Sequence, residues 1–191
     1  MKADLADLRL RAVCWFRSHL FEMSRARAAS ETPNSKTMLR LSRDPSAQVR
    51  FSLTFNRRVP DDLLDEMARH EQDFMTLINL ANCQIELDRS SEELPERLVD
   101  RLHILAERRS PGVDVQIAGR KTLRVETIRL LYQSTKSFPQ DITGQVWRKL
   151  VEERIANRSN TPPDVIKGLS ESALSEKVRA IASHRLRQDQ A

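Results

Sequence analysis

Glycine is scarce, with four residues in a chain of 191. An all-β barrel or sandwich needs many tight turns, so this shortage disfavours both. Neither GxGxxG nor GxxxxGK[ST] occurs, which removes the usual phosphate-cradling loops. Cysteine is limited to Cys14 and Cys83. They lie far apart, in no CxxC and beside no paired histidine, so two reduced thiols are expected. Aromatic residues make up only 5%, and any core must be built from Leu, Ile, Val, Ala and Met. No run of 18 apolar residues exists, so no membrane span is expected. Asp4, Asp7 and Glu22 argue against a mitochondrial presequence, and Arg9 and Arg11 interrupt any secretory apolar stretch. A cytoplasmic protein is the expectation. His19, His70, His103 and His184 fall in four different segments at no ligand spacing. No GxSxG or Cys/His signature is present. No catalytic, cofactor-binding or metal-binding residue is assigned, and no cofactor is expected.

Charge, by contrast, is plentiful at 31%, with a net of +5. It is also segregated: residues 1–58 carry a net of +7, residues 59–107 a net of −9, and residues 108–191 again +7. A continuous basic stripe would point to nucleic acid. An acidic middle third opposes phosphates and weakens that reading. Asp61, Asp62, Asp65 and Glu66 cluster at a helix start, where acids complement the helix dipole.

The best-punctuated stretch is 157–185, NRSNTPPDVIKGLSESALSEKVRAIASHR. Asn160 and Thr161 are capping residue types, and Pro162 and Pro163 suit a first helical turn. Val165, Ile166 and Leu169 form one apolar stripe. Ser170–Ser175 reads as a break, and Val178, Ile181 and Ala182 form a second stripe. Two helices this short and narrow need a neighbouring pair to complete a core, which is the logic of a stacked array. Similar starts occur at Pro33, Pro60, Pro95 and Pro139. Val113, Val115 and Ile117 alternate as a strand would, but helical neighbours favour a helix. Behind Pro139 the apolar residues Ile142, Val146, Leu150, Val151 and Ile155 read as one further helix. Residues 3–23 read as an amphipathic helix carrying Leu5, Leu8, Ala12, Trp15, Phe16, Leu20 and Met23.

Asp44-Pro45 with Val49-Arg50, and Thr161-Pro162-Pro163-Asp164-Val165 followed by Val178-Arg179, resemble bacterial HEAT-like repeats of the short variant leucine-rich kind. The likeness covers 32–82 and 157–185 well and 95–155 poorly. It implies an all-α fold: a right-handed α-solenoid of degenerate two-helix HEAT-like repeats with an N-terminal capping helix. The implied organisation is an amphipathic helix and linker over 1–30, a solenoid over 31–185 and a frayed tail over 186–191. In HEAT repeats the turn Asp and the second-helix Arg bond between neighbouring units, so the resemblance makes Asp44, Arg50 and Arg179 ladder residues. An iron–sulfur cluster in one variant type needs an N-terminal cysteine group, and only Cys14 stands there. The alkylation-specific DNA glycosylases of this architecture use tryptophans and a carboxylate in a basic cleft. Trp15 and Trp147 lie far apart with no matched acid.

The expected function is a non-enzymatic adaptor or scaffold that binds another protein, including one with an acidic segment. The alternative is a nucleic-acid-binding protein with a basic concave surface. A glycosylase-like enzyme is a remote third. Candidate partner-binding residues are Trp15, Phe16, Arg57, Arg58, Arg120, Lys121, Arg124 and Arg148.

Overall fold

A computed structural model describes residues 19–82 and 95–188. Trp15, Phe16, Cys14, Cys83 and most of the expected N-terminal helix lie outside them. All regular structure among the described residues is helical, with no strand. The chain divides into two compact units, Met1–Cys83 and Gln84–Ala191.

The first unit contains α1 (19–31), α2 (Ser35–Leu41), α3 (Ala47–Leu53), α4 (Asp61–His70) and α5 (Phe74–Asn82). Helix starts follow local chemistry. Asn34 accepts from the Thr37 N–H at 3.0 Å and caps α2. Ser46 caps α3 through Val49. At α4 the N-cap is Pro60, which offers no side-chain cap, and Asp61 and Asp62 supply negative charge in the first turn instead. Helices α2 and α3 pack together, as do α4 with α5 and α3 with α5. Met38, Leu41, Val49, Leu53, Leu63, Leu64, Met67, Leu77 and Leu80 make the core. Each fully buried aliphatic side chain contributes about 1.5–3 kcal/mol.

The second unit contains α6 (Glu96–Glu107), α7 (Pro111–Ala118), α8 (Val125–Thr135), α9 (Ile142–Ala156), α10 (Pro163–Ser172) and α11 (Glu176–Gln188). Helices α6 and α10 start as α4 does, after Pro95 and Pro162, with Glu96 and Asp164 in the first turn. Consecutive helices pair as α6–α7, α8–α9 and α10–α11. Helix α9 also packs on both α7 and α11, and α6 packs on α8. Residues 113–118 are helical, and α7 is buried along nearly its whole length. An apolar helix with no solvated face shows no 3.6-residue period, which is why its sequence also fits a strand. Arg109 takes a left-handed φ of 52° just past α6, and its N–H reaches Ala106 O at 3.1 Å. That is the usual place for such a residue.

Two expectations are corrected, and one is refined. Asn160 and Thr161 do not cap α10, because both side chains turn back. Asn160 donates to Leu123 O at 2.8 Å and Thr161 to Ile155 O at 2.6 Å. The apolar residues behind Pro139 lie on one helix, as expected, but on two sides of it. Val151 and Ile155 are buried, whereas Ile142, Val146 and Leu150 are exposed on the other side of α9. Helix α11 runs through Gln188, so its last three residues occupy part of the stretch read as tail.

Gly144 lies in the first turn of α9, where its N–H donates to the capping Asp141 carboxylate at 2.7 Å. A Cβ there would collide with the backbone of Pro139, including its carbonyl oxygen. Gly144→Ala is therefore expected to destabilise the second unit by ~1–3 kcal/mol, as overpacking does. Helix propensity alone would favour alanine by ~1 kcal/mol. Thermal denaturation distinguishes the two signs.

Candidate functional site

In the first unit the turn between α2 and α3 faces the last turn of α4 across a cleft of about 420 Å³. Ser42, Arg43, Asp44, Pro45 and Arg50 line one side, and Glu66, Met67, His70, Glu71 and Gln72 the other. Its charges are mutually engaged. Arg50, on α3, holds Glu71 with Nε and Nη2 at 2.8 Å each. Its Nη1 donates to the backbone oxygens of Asp44 and Pro45 at 2.7 and 3.1 Å. Glu71 also accepts the N–H groups of Gln72 and Asp73, both at 2.8 Å. Burial pushes the Glu71 carboxyl upward, but Arg50 and these N–H groups outweigh it, and the group lies below its ordinary value. Asp44 repeats the arrangement. Arg25 of α1 reaches it with Nε at 2.8 Å and Nη2 at 3.2 Å, and the Ser46 N–H at 2.9 Å. Its carboxyl is likewise lowered, because Arg25, Ser46 and Arg50 together outweigh burial. At the mouth Arg43 pairs with Glu66 at 2.8 Å, and that hydrogen bond lowers the Glu66 carboxyl.

Asp44 and Arg50 thus do not pair side chain to side chain, and each holds a partner from another segment. Arg25 of α1 holds the carboxylate in the α2–α3 turn, and Arg50 of α3 holds the carboxylate in the α4–α5 turn. Arg179 differs: it donates to Ala173 O in the turn preceding its own helix, and Glu176 lies 3.8 Å away.

Several arginines of the second unit donate to backbone oxygens. Arg158 donates to the carbonyls of Arg120 and Lys121, beyond the end of α7. Arg185, on α11, donates to Ala156 O at 2.9 Å, Arg158 O at 2.6 Å and Ser159 O at 3.2 Å, at the end of α9. Arg154 reaches Val115 O. Helix ends carry unsatisfied carbonyls and partial negative charge, so each guanidinium fastens one helix to the end of its neighbour. Burial lowers the pKa of Arg158. In the first unit Asn56 does the same for α1, donating to Ala29 O at 2.9 Å and Thr32 O at 2.8 Å.

The candidate partner-binding residues divide accordingly. Arg148 is held by Glu152 at 2.7 Å and by Ser172 O at 2.9 Å. Glu152, fully buried, accepts the Leu174 N–H at 2.9 Å as well. Arg124 lies at the N-cap of α8 against Asp100 and Glu96. Arg57 and Arg58 are exposed just after α3 in the first unit, and Arg120 and Lys121 follow α7 in the second. Arg58 and Lys121 form no ion pair among the described residues. Trp15 and Phe16 lie outside the described residues.

Two features escaped the sequence reading. Asp114, on α7, is fully buried against the Ser134 hydroxyl at 2.6 Å. Burial, only partly opposed by Ser134 and Arg109, pushes its carboxyl up to about 7. The available signal was a lone Asp among Val113, Val115, Ile117 and Ala118. The other is exposed apolar surface. On α1, Leu20, Phe21 and Met23 are 49%, 66% and 58% exposed, and on α9, Ile142, Val146 and Leu150 are 83%, 49% and 37% exposed. No group of three or more His, Cys, Asp or Glu among the described residues is placed to hold a metal ion. No helix among them is long and apolar enough to cross a membrane. No family model, curated protein or solved structure matches this chain.

Proposed function

We propose that the chain is a non-enzymatic helical scaffold of the cytoplasm that binds another protein. In this reading its helices form a right-handed α-solenoid of degenerate two-helix HEAT-like repeats. Support for the repeat comes from the pairs α2–α3, α4–α5, α6–α7, α8–α9 and α10–α11. The second helix of one pair touches that of the next in α3–α5, α7–α9 and α9–α11. The Arg25–Asp44 and Arg50–Glu71 steps are the ladder such a repeat would use.

The observation that carries protein binding is the exposure of Leu20, Phe21 and Met23 on α1. Large apolar side chains left in water within one short segment mark surfaces that a partner covers. Nucleic acid is the second reading, favoured by the sequence pI near 9.6 and by Arg58 and Lys121, which form no ion pair among the described residues. It is weakened because Arg25, Arg50, Arg148, Arg158 and Arg185 are already engaged within the chain.

Affinity capture with the full chain under native conditions tests the reading. A protein partner is expected to be enriched well above background with wild type and lost with Leu20→Glu/Met23→Glu. Both positions are solvent-exposed, so the double variant retains the fold. Capture of nothing above background counts against protein binding.

A further inference from the structure

Three segments meet at one corner of the second unit: the α7–α8 turn, the end of α9 and the last turns of α11. Hydrogen bonds join them. Arg158 donates to the carbonyls of Arg120 and Lys121, and Arg185 to those of Ala156, Arg158 and Ser159. Arg154 reaches Val115 O, and its guanidinium lies against Gly119, where an added Cβ would come within 2.9 Å of Nη1. Lys121 is exposed. None of Lys121, Arg154, Arg158 and Arg185 forms an ion pair among the described residues. No Asp or Glu occurs in 119–125, 154–163 or 177–188. Asp189 lies outside the described residues.

Backbone oxygens hold these guanidiniums in place without neutralising them. The ends of α7 and α9 offer about half a negative charge each, so about three of the four positive charges stay uncompensated. Arg158 shows the cost. It is half-buried, its Nε has no hydrogen-bond partner, and burial lowers its pKa with no carboxylate to oppose the shift. The acids that flank these segments are taken by other cations. Glu153 is met by Lys177 at 2.6 Å, Asp164 by Arg129 at 3.1 Å, and Asp100 and Glu96 by Arg124. Glu126 also acts on Arg129, three residues along α8. Five carboxylates share three cations there, so the rim of the corner is acidic.

The three segments carry no aromatic residue and no exposed large apolar side chain. Bases would find nothing to stack on, and an apolar helix nothing to cover. A duplex spreads over roughly 600 Å² or more of protein, and its phosphates would run onto the acidic rim. Carboxylates on a short chain stay within the corner. We propose that the corner of Lys121, Arg154, Arg158 and Arg185 docks a short acidic segment of a partner protein. This rests on the protein-binding reading and names the chemistry of one contact. A segment with about three carboxylates balances the charge that the helix ends leave. Its oxygens take charge-assisted hydrogen bonds from Lys121 and from the guanidinium N–H groups that the carbonyls do not use.

The test is fluorescence anisotropy of the full chain with three labelled probes: a short peptide of alternating Glu and Gly, its Gln-for-Glu counterpart, and a short DNA duplex. At low salt the Glu peptide is expected to bind and the Gln peptide is not, and the binding should weaken as salt rises. Lys121→Glu alters an exposed side chain with no ion-pair partner among the described residues, so the fold is kept, and it should lower the affinity several-fold. Arg58→Glu makes the same change of charge at an exposed residue of the first unit and should leave the affinity within about twofold. Equal loss in the two variants would show attraction to net charge alone and overturn the assignment of the corner. No binding of the Glu peptide at low salt would overturn the proposal outright. A duplex that binds more tightly than the Glu peptide, and weakens in Lys121→Glu by the same factor, would make the corner a phosphate site and overturn the acidic-segment assignment. A cellular partner captured equally by wild type and Lys121→Glu at low salt removes this site and leaves the scaffold reading standing, whereas capture of no partner by wild type removes the scaffold reading itself.

Discussion

Asp114→Asn is expected to abolish most of the pH dependence of stability of the second unit between about pH 4 and pH 8. The reason lies in one hydroxyl. Ser134 Oγ is 2.6 Å from Asp114 Oδ2 and 2.9 Å from Leu131 O, and it has a single proton to give. With an ionised Asp114, one of the two acceptors goes without. With a protonated Asp114, the carboxyl donates to Oγ and Oγ donates to Leu131 O. The other carboxylate oxygen is buried with no hydrogen-bond partner, which further disfavours the charge. The folded carboxyl therefore titrates near 7, against an ordinary value of 3.8. A carboxyl raised by folding favours the native state below its unfolded pKa. That advantage is lost as pH rises through the folded value. The loss is on the order of 4 kcal/mol once the group is ionised in both states. Asparagine reproduces the protonated arrangement, with Nδ2 donating to Ser134 and no charge to bury. Urea unfolding of the full chain at pH 5 and pH 8 measures the difference. Wild type should lose most of that energy between the two, and the variant little. Equal slopes would show that Asp114 is ionised at no cost.

Arg50→Ala is expected to cost the first unit about 3–5 kcal/mol, the penalty for leaving one partner of a buried ion pair alone. The Glu71 side chain is 2% exposed and that of Arg50 18%. The substitution removes both guanidinium contacts to Glu71 and the donors to Asp44 O and Pro45 O. Replacing both partners, Arg50→Leu/Glu71→Leu, should recover only part of the loss. An apolar residue at 71 strands the N–H groups of Gln72 and Asp73. The sign with pH is opposite to that of Asp114. Glu71 is lowered in the fold, so its contribution is present above the ordinary carboxylate value of 4.5 and lost as pH falls through the folded one. In Arg50→Ala the burial that raises Glu71 is opposed only by the two N–H groups. The acid limb of unfolding should then move to higher pH. Denaturant titrations from pH 3 to pH 7 read both effects.

The helix starts were legible because proline and charge act locally. Pro60, Pro95 and Pro162, each followed by an acid in the first turn, mark α4, α6 and α10 without tertiary information. Pro139 carries a similar signature but precedes α9, which pairs back onto α8 and lies against α7 and α11. A proline reports where a helix begins and not which helix it will pair with. The two arginine–carboxylate pairs were half legible. The types and spacing of Asp44 and Arg50 pointed to a shared turn, but their carboxylate and guanidinium partners, Arg25 and Glu71, lie 19 and 21 residues away. The work of Arg158 and Arg185 left no trace in the sequence, because their acceptors are backbone carbonyls that every residue possesses. The two faces of α9 were present in the spacing. Residues 142, 146 and 150 project to one side and 151 and 155 to the other, and an apolar stretch read without that geometry merges them.

Affinity capture with the full chain at low and high salt, with and without nuclease, tests the central claim most directly. A protein partner retained after nuclease treatment and at high salt, and lost with Leu20→Glu/Met23→Glu, is the expected result. Apolar contacts survive screening that phosphate contacts do not. Recovery of nucleic acid that elutes steeply with salt, with no protein remaining after nuclease, would contradict it.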